Sequence, residues 1–91
     1  MIHKLSLEEL PKYQRKGATI IDVRSKEEYS IHHLEGAINI PHERILEGVR
    51  NYSKDSILIL YCSTGNRSKI ASNLLLSMGY SNVYDLGKVS L

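Results

Sequence analysis

Ile57-Leu58-Ile59-Leu60-Tyr61-Cys62-Ser63-Thr64-Gly65-Asn66-Arg67-Ser68 joins an apolar run to a short polar turn. The run Ile57–Tyr61 has the composition of a strand buried on both faces, which is the pattern of a central parallel strand. A helix pattern follows from Ser68 to Met78. Cys62, the only cysteine in 91 residues, therefore falls at the carboxyl end of a strand, above a loop whose amides open onto a helix N-terminus. Such a position holds an anion and favours the thiolate, which is the nucleophilic form of cysteine. Helix polarity near Arg67 or Ser68 contributes partial positive charge. Gly65 lets successive N–H groups turn inward as an anion nest. Arg67 adds a full charge and a planar fork of hydrogen-bond donors.

Working outward, strands alternate with helices. Ser6-Leu7-Glu8-Glu9 reads as a capping box that starts a short helix, kinked or restarted at Pro11 and ended by Gly17. Ala18–Val23 reads as a buried strand. Ser25-Lys26-Glu27-Glu28 is a second capping box, opening a helix to about His32. Gly36–Ile40 is a short strand stopped by Pro41, and a helix follows over His42–Val49. In the helix after the loop, Ile70, Ala71, Leu74, Leu75 and Met78 share a face and are expected in the core. Gly79 is its C-cap, with Tyr80 folding back as the apolar contact. Asn82–Asp85 is read as a last short strand. This order predicts one α/β domain over residues 1–91, with a mostly parallel sheet. In such sheets ligands sit beyond the carboxyl ends of the strands. Cys62 and Arg24 both fall at such ends.

Composition narrows the function. The chain carries 12 Lys and Arg against 10 Asp and Glu, with no basic run, which argues against nucleic acid. No apolar run approaches the ~20 residues of a membrane span. Met1–Ser6 has no signal-peptide core, so an uncleaved start and a cytoplasmic location are expected. A lone cysteine forms no internal disulfide. His32 and His33 are adjacent and lack metal-pair spacing, so neither a metal nor another cofactor is expected. His3 and His42 are isolated, and Lys69 is read as a solvated helix lysine.

A lone cysteine ending a core strand is otherwise a small buried hydrophobe. The Cys-x4-Arg-Ser frame argues against that here. The chain resembles the rhodanese-like domain family of sulfurtransferases in three segments. They are Ile20-Ile21-Asp22-Val23-Arg24 with Glu28-Tyr29 and His33–Pro41; Tyr61–Ser68, similar to the family's active-site loop; and Gly79–Gly87. The resemblance implies a three-layer fold, with helices on both faces of the sheet. It also implies that Cys62 takes a sulfane sulfur from thiosulfate or a persulfide and passes it to a thiol or cyanide, the acceptor being a small molecule or a protein. Ser63, Thr64, Gly65, Asn66, Arg67 and Ser68 would form the substrate cradle, with Asp22 and Arg24 supporting it. Two departures stand out. The family pattern continues past Leu86-Gly87 with a second glycine and a terminal helix, whereas this chain has Lys88 and stops at Leu91. A shortened end is expected to expose apolar surface, which a second copy of the chain would cover. In addition, several thiosulfate-using relatives carry a basic residue just after the cysteine, where Ser63 is neutral.

Two other functions fit parts of the chain. Cysteine phosphatases and arsenate reductases resemble this arrangement but use Cys-x5-Arg, and one residue fewer removes up to ~3.5 Å of chain. Some rhodanese-like domains are non-catalytic interaction modules; retention of Cys62 and Arg67 weighs against that class.

Overall fold

The computed structural model describes residues 2–91. Five strands form one sheet: β1 (His3–Lys4), β2 (Thr19–Asp22), β3 (Ile38–Asn39), β4 (Ile57–Cys62) and β5 (Asn82–Lys88). Their spatial order is β1-β5-β4-β2-β3, and every neighbouring pair is parallel. The helices are α1 (Leu10–Gln14), α2 (Lys26–Ile31), α3 (Ile45–Gly48) and α4 (Asn66–Ser77), with 3₁₀ turns before α1 and α3. The expected α/β, three-layer architecture is the observed one.

β4 shows why the sheet is central. Leu58, Leu60 and Cys62 face one core, together with Val49 before β4 and Ala71 and Leu75 of α4. Ile59 and Tyr61 face the other, with Leu10 of α1 and Tyr29 of α2 packed there. A strand clad on both sides by helices has no polar face, so its side chains form the near-continuous apolar run seen in the sequence. β2 leads into α2 on one face of the sheet, while the neighbouring β4 leads into α4 on the other. The two connections part at this point, leaving a crevice beyond the carboxyl ends of β2 and β4.

Local signals hold at the helix ends. Ser25 Oγ accepts the Glu28 N–H at 3.2 Å, and Glu28 Oε1 accepts the Ser25 N–H at 3.0 Å, completing the second capping box. After α4, Gly79 takes φ +94°, a conformation open to a residue without a β-carbon. The Gly79 and Tyr80 amides then donate to Leu76 and Leu75 carbonyls, both at 3.1 Å, and Tyr80 packs back into the core.

Two expectations are corrected, and one strand is new. β1 escaped the sequence pattern, being two exposed residues held by β5. β5 runs on to Lys88 past the expected Asp85, because an irregularity opposite Leu60/Tyr61 absorbs an extra residue and Gly87 stays in the ladder. The apolar stripe of α4 is only half core. Ala71 and Leu75 are buried, whereas Ile70, Leu74 and Met78 are 59, 38 and 50% exposed. The helix presents Ser68, Ala71, Ser72 and Leu75 to the sheet, and three of these are small enough to let it approach closely.

Candidate active site

Cys62 ends β4 between two neighbours. On one side Tyr61 is in register with Asp22 of β2; on the other Cys62 is in register with Lys88 of β5. The chain then turns sharply through Ser63, Thr64 and Gly65 into α4. Gly65 has φ +93°, and its N–H points back at the Cys62 sulfur with N···Sγ 3.0 Å. From the first turn of α4, Ser68 N–H also points at Sγ, at 3.4 Å. Ser68 Oγ lies 3.6 Å from Sγ and donates to the Gly65 carbonyl at 3.2 Å. Thr64 Oγ1 accepts the Asn66 N–H at 3.4 Å, which closes the loop crest.

These contacts act on the acidity of the sulfur. Burial pushes the Cys62 thiol up, but the Ser68 hydroxyl and the N–H groups of Ser68, Thr64 and Gly65 outweigh it, so the pKa lies below the ordinary value. The residue is buried in the core cluster, yet the amides around it turn inward. Thr64 and Asn66 form the exposed crest above it.

Arg67 has a different place from the open fork read in the sequence. Its Nη1 donates to Glu28 Oε1 at 2.7 Å, and its Nη2 to Glu28 Oε2 at 3.1 Å and Ser63 Oγ at 3.2 Å. The Glu28 carboxylate is drawn down to about 2, first by Arg67 and then by its bond to the Ser25 amide. The Arg67 guanidinium is in turn raised, chiefly by Glu28. Arg67 thus ties the loop to the start of α2. Glu28 is the site residue that the sequence reading missed. Its capping-box position gave it a complete local explanation, although Glu28-Tyr29 was part of the motif.

Asp22 and Arg24 form a buried pair beside the loop. Arg24 Nε reaches Asp22 Oδ1 and Oδ2 at 3.0 and 3.1 Å, and Nη2 reaches Oδ2 at 2.8 Å. Nη2 also donates to the His32 carbonyl at 2.6 Å. The hydrogen bonds of this side chain go to Asp22 and His32, and none goes to the Cys62 loop. Arg24 is raised above its ordinary value, first by Asp22. Asn39 Nδ2 donates to the carbonyls of Asp22 and Arg24 at 2.9 and 3.0 Å, fixing the end of β2. The Tyr61 hydroxyl accepts the Leu34 N–H at 3.0 Å, and burial pushes that phenol up. The His33 ring stacks on Tyr29 at 3.8 Å. Among the described residues no group of three or more His, Cys, Asp or Glu converges, and no helix is long and apolar enough to cross a membrane. A cleft of about 300 Å³ runs between Ser25, Lys26 and Glu27 on one side and Pro41, Glu43 and Arg44 on the other. It flanks the site, and the sulfur is not part of its lining.

A cysteine sulfur ringed by inward-facing amides at a strand end agrees with the family profile. The Rhodanese-like domain profile matches residues 6–88. This chain belongs to the rhodanese-like domain family. Thiosulfate sulfurtransferase GlpE of Pseudomonas entomophila is 29% identical over 83 residues, spanning 91% of this chain and 76% of that protein. Thiosulfate sulfurtransferase PspE of Escherichia coli is 38% identical over 69 residues, spanning 74% of this chain and 66% of that protein. Among solved structures, the human single-domain sulfurtransferase TSTD1 superposes with a TM-score of 0.84 at 26% identity, covering 99% of this chain and 93% of that one. This rhodanese-like domain is an enzyme of the sulfurtransferase class.

Proposed function

We propose that this rhodanese-like domain carries a sulfane sulfur on Cys62 as a persulfide between an anionic donor and a thiol or cyanide acceptor. One observation supports this above the others: the Gly65 and Ser68 amides converge on Sγ at 3.0 and 3.4 Å.

In the first half-reaction the Cys62 thiolate attacks the outer sulfur of thiosulfate. An S–S bond forms to Cys62, the bond to the sulfonate sulfur breaks, and sulfite leaves with the electron pair. Sulfite is stable as an anion, so the leaving group needs no general acid. The protein's contribution is electrostatic. The Ser68 hydroxyl has one proton and two neighbours, the Gly65 carbonyl and Sγ, and it can turn toward the sulfur when the sulfur is ionised. The same amides then face the persulfide. In the second half-reaction the acceptor attacks the terminal sulfur and Cys62 leaves as the thiolate, restoring the starting state.

Thiosulfate is favoured as donor by the likeness to the thiosulfate sulfurtransferases GlpE and PspE, and the acceptor in a cell is a thiol, free or on a partner protein. Such chemistry suits the reducing cytoplasm, where a lone thiolate stays reduced. Phosphate-ester chemistry is disfavoured because the Arg67 fork already holds Glu28. Mass spectrometry after exposure to thiosulfate should find +32 Da on Cys62, and Cys62→Ala should abolish sulfur transfer to cyanide. Undiminished transfer by Cys62→Ala would rule the persulfide out.

A further inference from the structure

The two arginines at the strand ends are already committed. Arg67 is held by Glu28 at 2.7 Å, and Arg24 by Asp22 at 2.8 Å. The residue after the cysteine, Ser63, is neutral. A dianionic donor arriving at Cys62 therefore meets amides but no free charge from the loop itself.

Lys88 stands directly beside the cysteine. It is the Cα partner of Cys62 in the parallel ladder, and neighbouring strands lie about 4.8 Å apart. Residues paired in this way project to the same face of a pleated sheet, here the face over which the Cys62 loop and α4 lie. Segment 88–89 also fixes the cysteine: the Val89 N–H donates to the Cys62 carbonyl at 2.9 Å. The loop passes close to it: a β-carbon at Gly65 would lie 3.6 Å from the Lys88 amide nitrogen. The side chain is exposed, and among the described residues no carboxylate pairs with it. Lys88 also occupies the position where the Leu-Gly-Gly pattern has its second glycine, so the charge is a feature of this chain.

We propose that Lys88 is the donor-binding cation of this enzyme: its ammonium receives the sulfonate end of thiosulfate while the outer sulfur lies against Cys62 Sγ. This assignment rests on the sulfur-transfer function proposed above. A lysine suits the task as a compact point charge on a flexible stem that follows the anion in and releases it as sulfite. No bond to Lys88 forms or breaks.

Steady-state kinetics with thiosulfate and cyanide separate the two halves of a ping-pong reaction, and intact-mass measurement reports loading of Cys62. In Lys88→Gln, kcat/KM for thiosulfate should fall about fivefold, the size of one exposed charge pair, through KM rather than kcat. kcat/KM for cyanide should stay within twofold. Lys88→Arg should restore thiosulfate use, and added salt should slow the wild type more than Lys88→Gln. Equal thiosulfate kinetics in wild type and Lys88→Gln overturn the assignment, as does a loss found in Lys69→Gln instead. If wild-type Cys62 never gains sulfur from thiosulfate, the proposed function fails, and the Lys88 assignment with it. Loading that is normal and indifferent to Lys88 removes only the assignment.

Discussion

Glu28 and Arg67 close a bidentate pair, at 2.7 and 3.1 Å, between the first turn of α2 and the first turn of α4. The two helices lie on opposite faces of the sheet, so the pair crosses the crevice at the carboxyl ends of β2 and β4. One Glu28 oxygen also caps α2 through the Ser25 amide. A single carboxylate thus fixes a helix start and the Cys62 loop together.

Glu28→Gln should lower stability by about 1 kcal/mol, the upper range for a pair this open to solvent. That corresponds to a fall in Tm of about 4–8 °C. Sulfur transfer should fall with it, because Ser63 and the loop lose their anchor. The pH dependence has a definite sign. Glu28 is depressed from 4.5 to about 2, so its stabilisation is present above 4.5 and is lost as pH falls toward 2. The Tm gap between wild type and Glu28→Gln, followed by thermal melts, should narrow across that window. A gap that widens on acidification would contradict the pair.

Ser68 is the largest of the groups that hold the Cys62 thiolate against burial. Ser68→Ala should therefore raise the Cys62 pKa. Alkylation by iodoacetamide, measured against pH, should show the midpoint moving up and the rate at pH 7 falling several-fold. The wild-type midpoint should lie below that of an ordinary thiol. An unchanged midpoint in Ser68→Ala would assign the depression to the amides alone.

The legible parts of this chain were those whose cause is local. β2 and β4 announce themselves by runs such as Ile57–Leu60, because burial on both faces demands apolar residues at every position. The Cys62 loop was legible because a cysteine, a glycine and an arginine between a strand and a helix have few structural reasons to occur together. β1 was not legible, since His3 and Lys4 become a strand only by pairing with Tyr84 and Asp85. The Glu28–Arg67 pair was hidden for the same reason: its partners are 39 residues apart. A count of apolar positions could not give the rotation of α4, because the sheet selected its small residues.

Arg24 and Asp22 are nearly or fully buried, so removing one partner strands a charge. Arg24→Ala should cost about 3 kcal/mol or more, a fall in Tm of more than roughly 10 °C. It also releases the His32 carbonyl. Adding Asp22→Asn should recover part of the loss, because the uncompensated charge is gone. Chemical denaturation of the single and double variants measures this directly. A double variant no more stable than Arg24→Ala would show that the guanidinium acts through packing instead.

The rotation of α4 makes a contrast between neighbours on one helix. Leu75 is fully buried between α4 and the sheet, whereas Ile70 is mostly exposed. Leu75→Ala removes side-chain atoms from a filled core and should cost about 2–5 kcal/mol. Ile70→Ala removes a comparable side chain from the surface and should change stability by no more than about 0.5 kcal/mol. Leu74→Ala, at the edge of exposure, should lie between the two. Urea unfolding of the three variants ranks them. Equal losses at positions 70 and 75 would mean that both sides of the stripe are packed, and that the buried face of α4 is wider than Ser68, Ala71, Ser72 and Leu75.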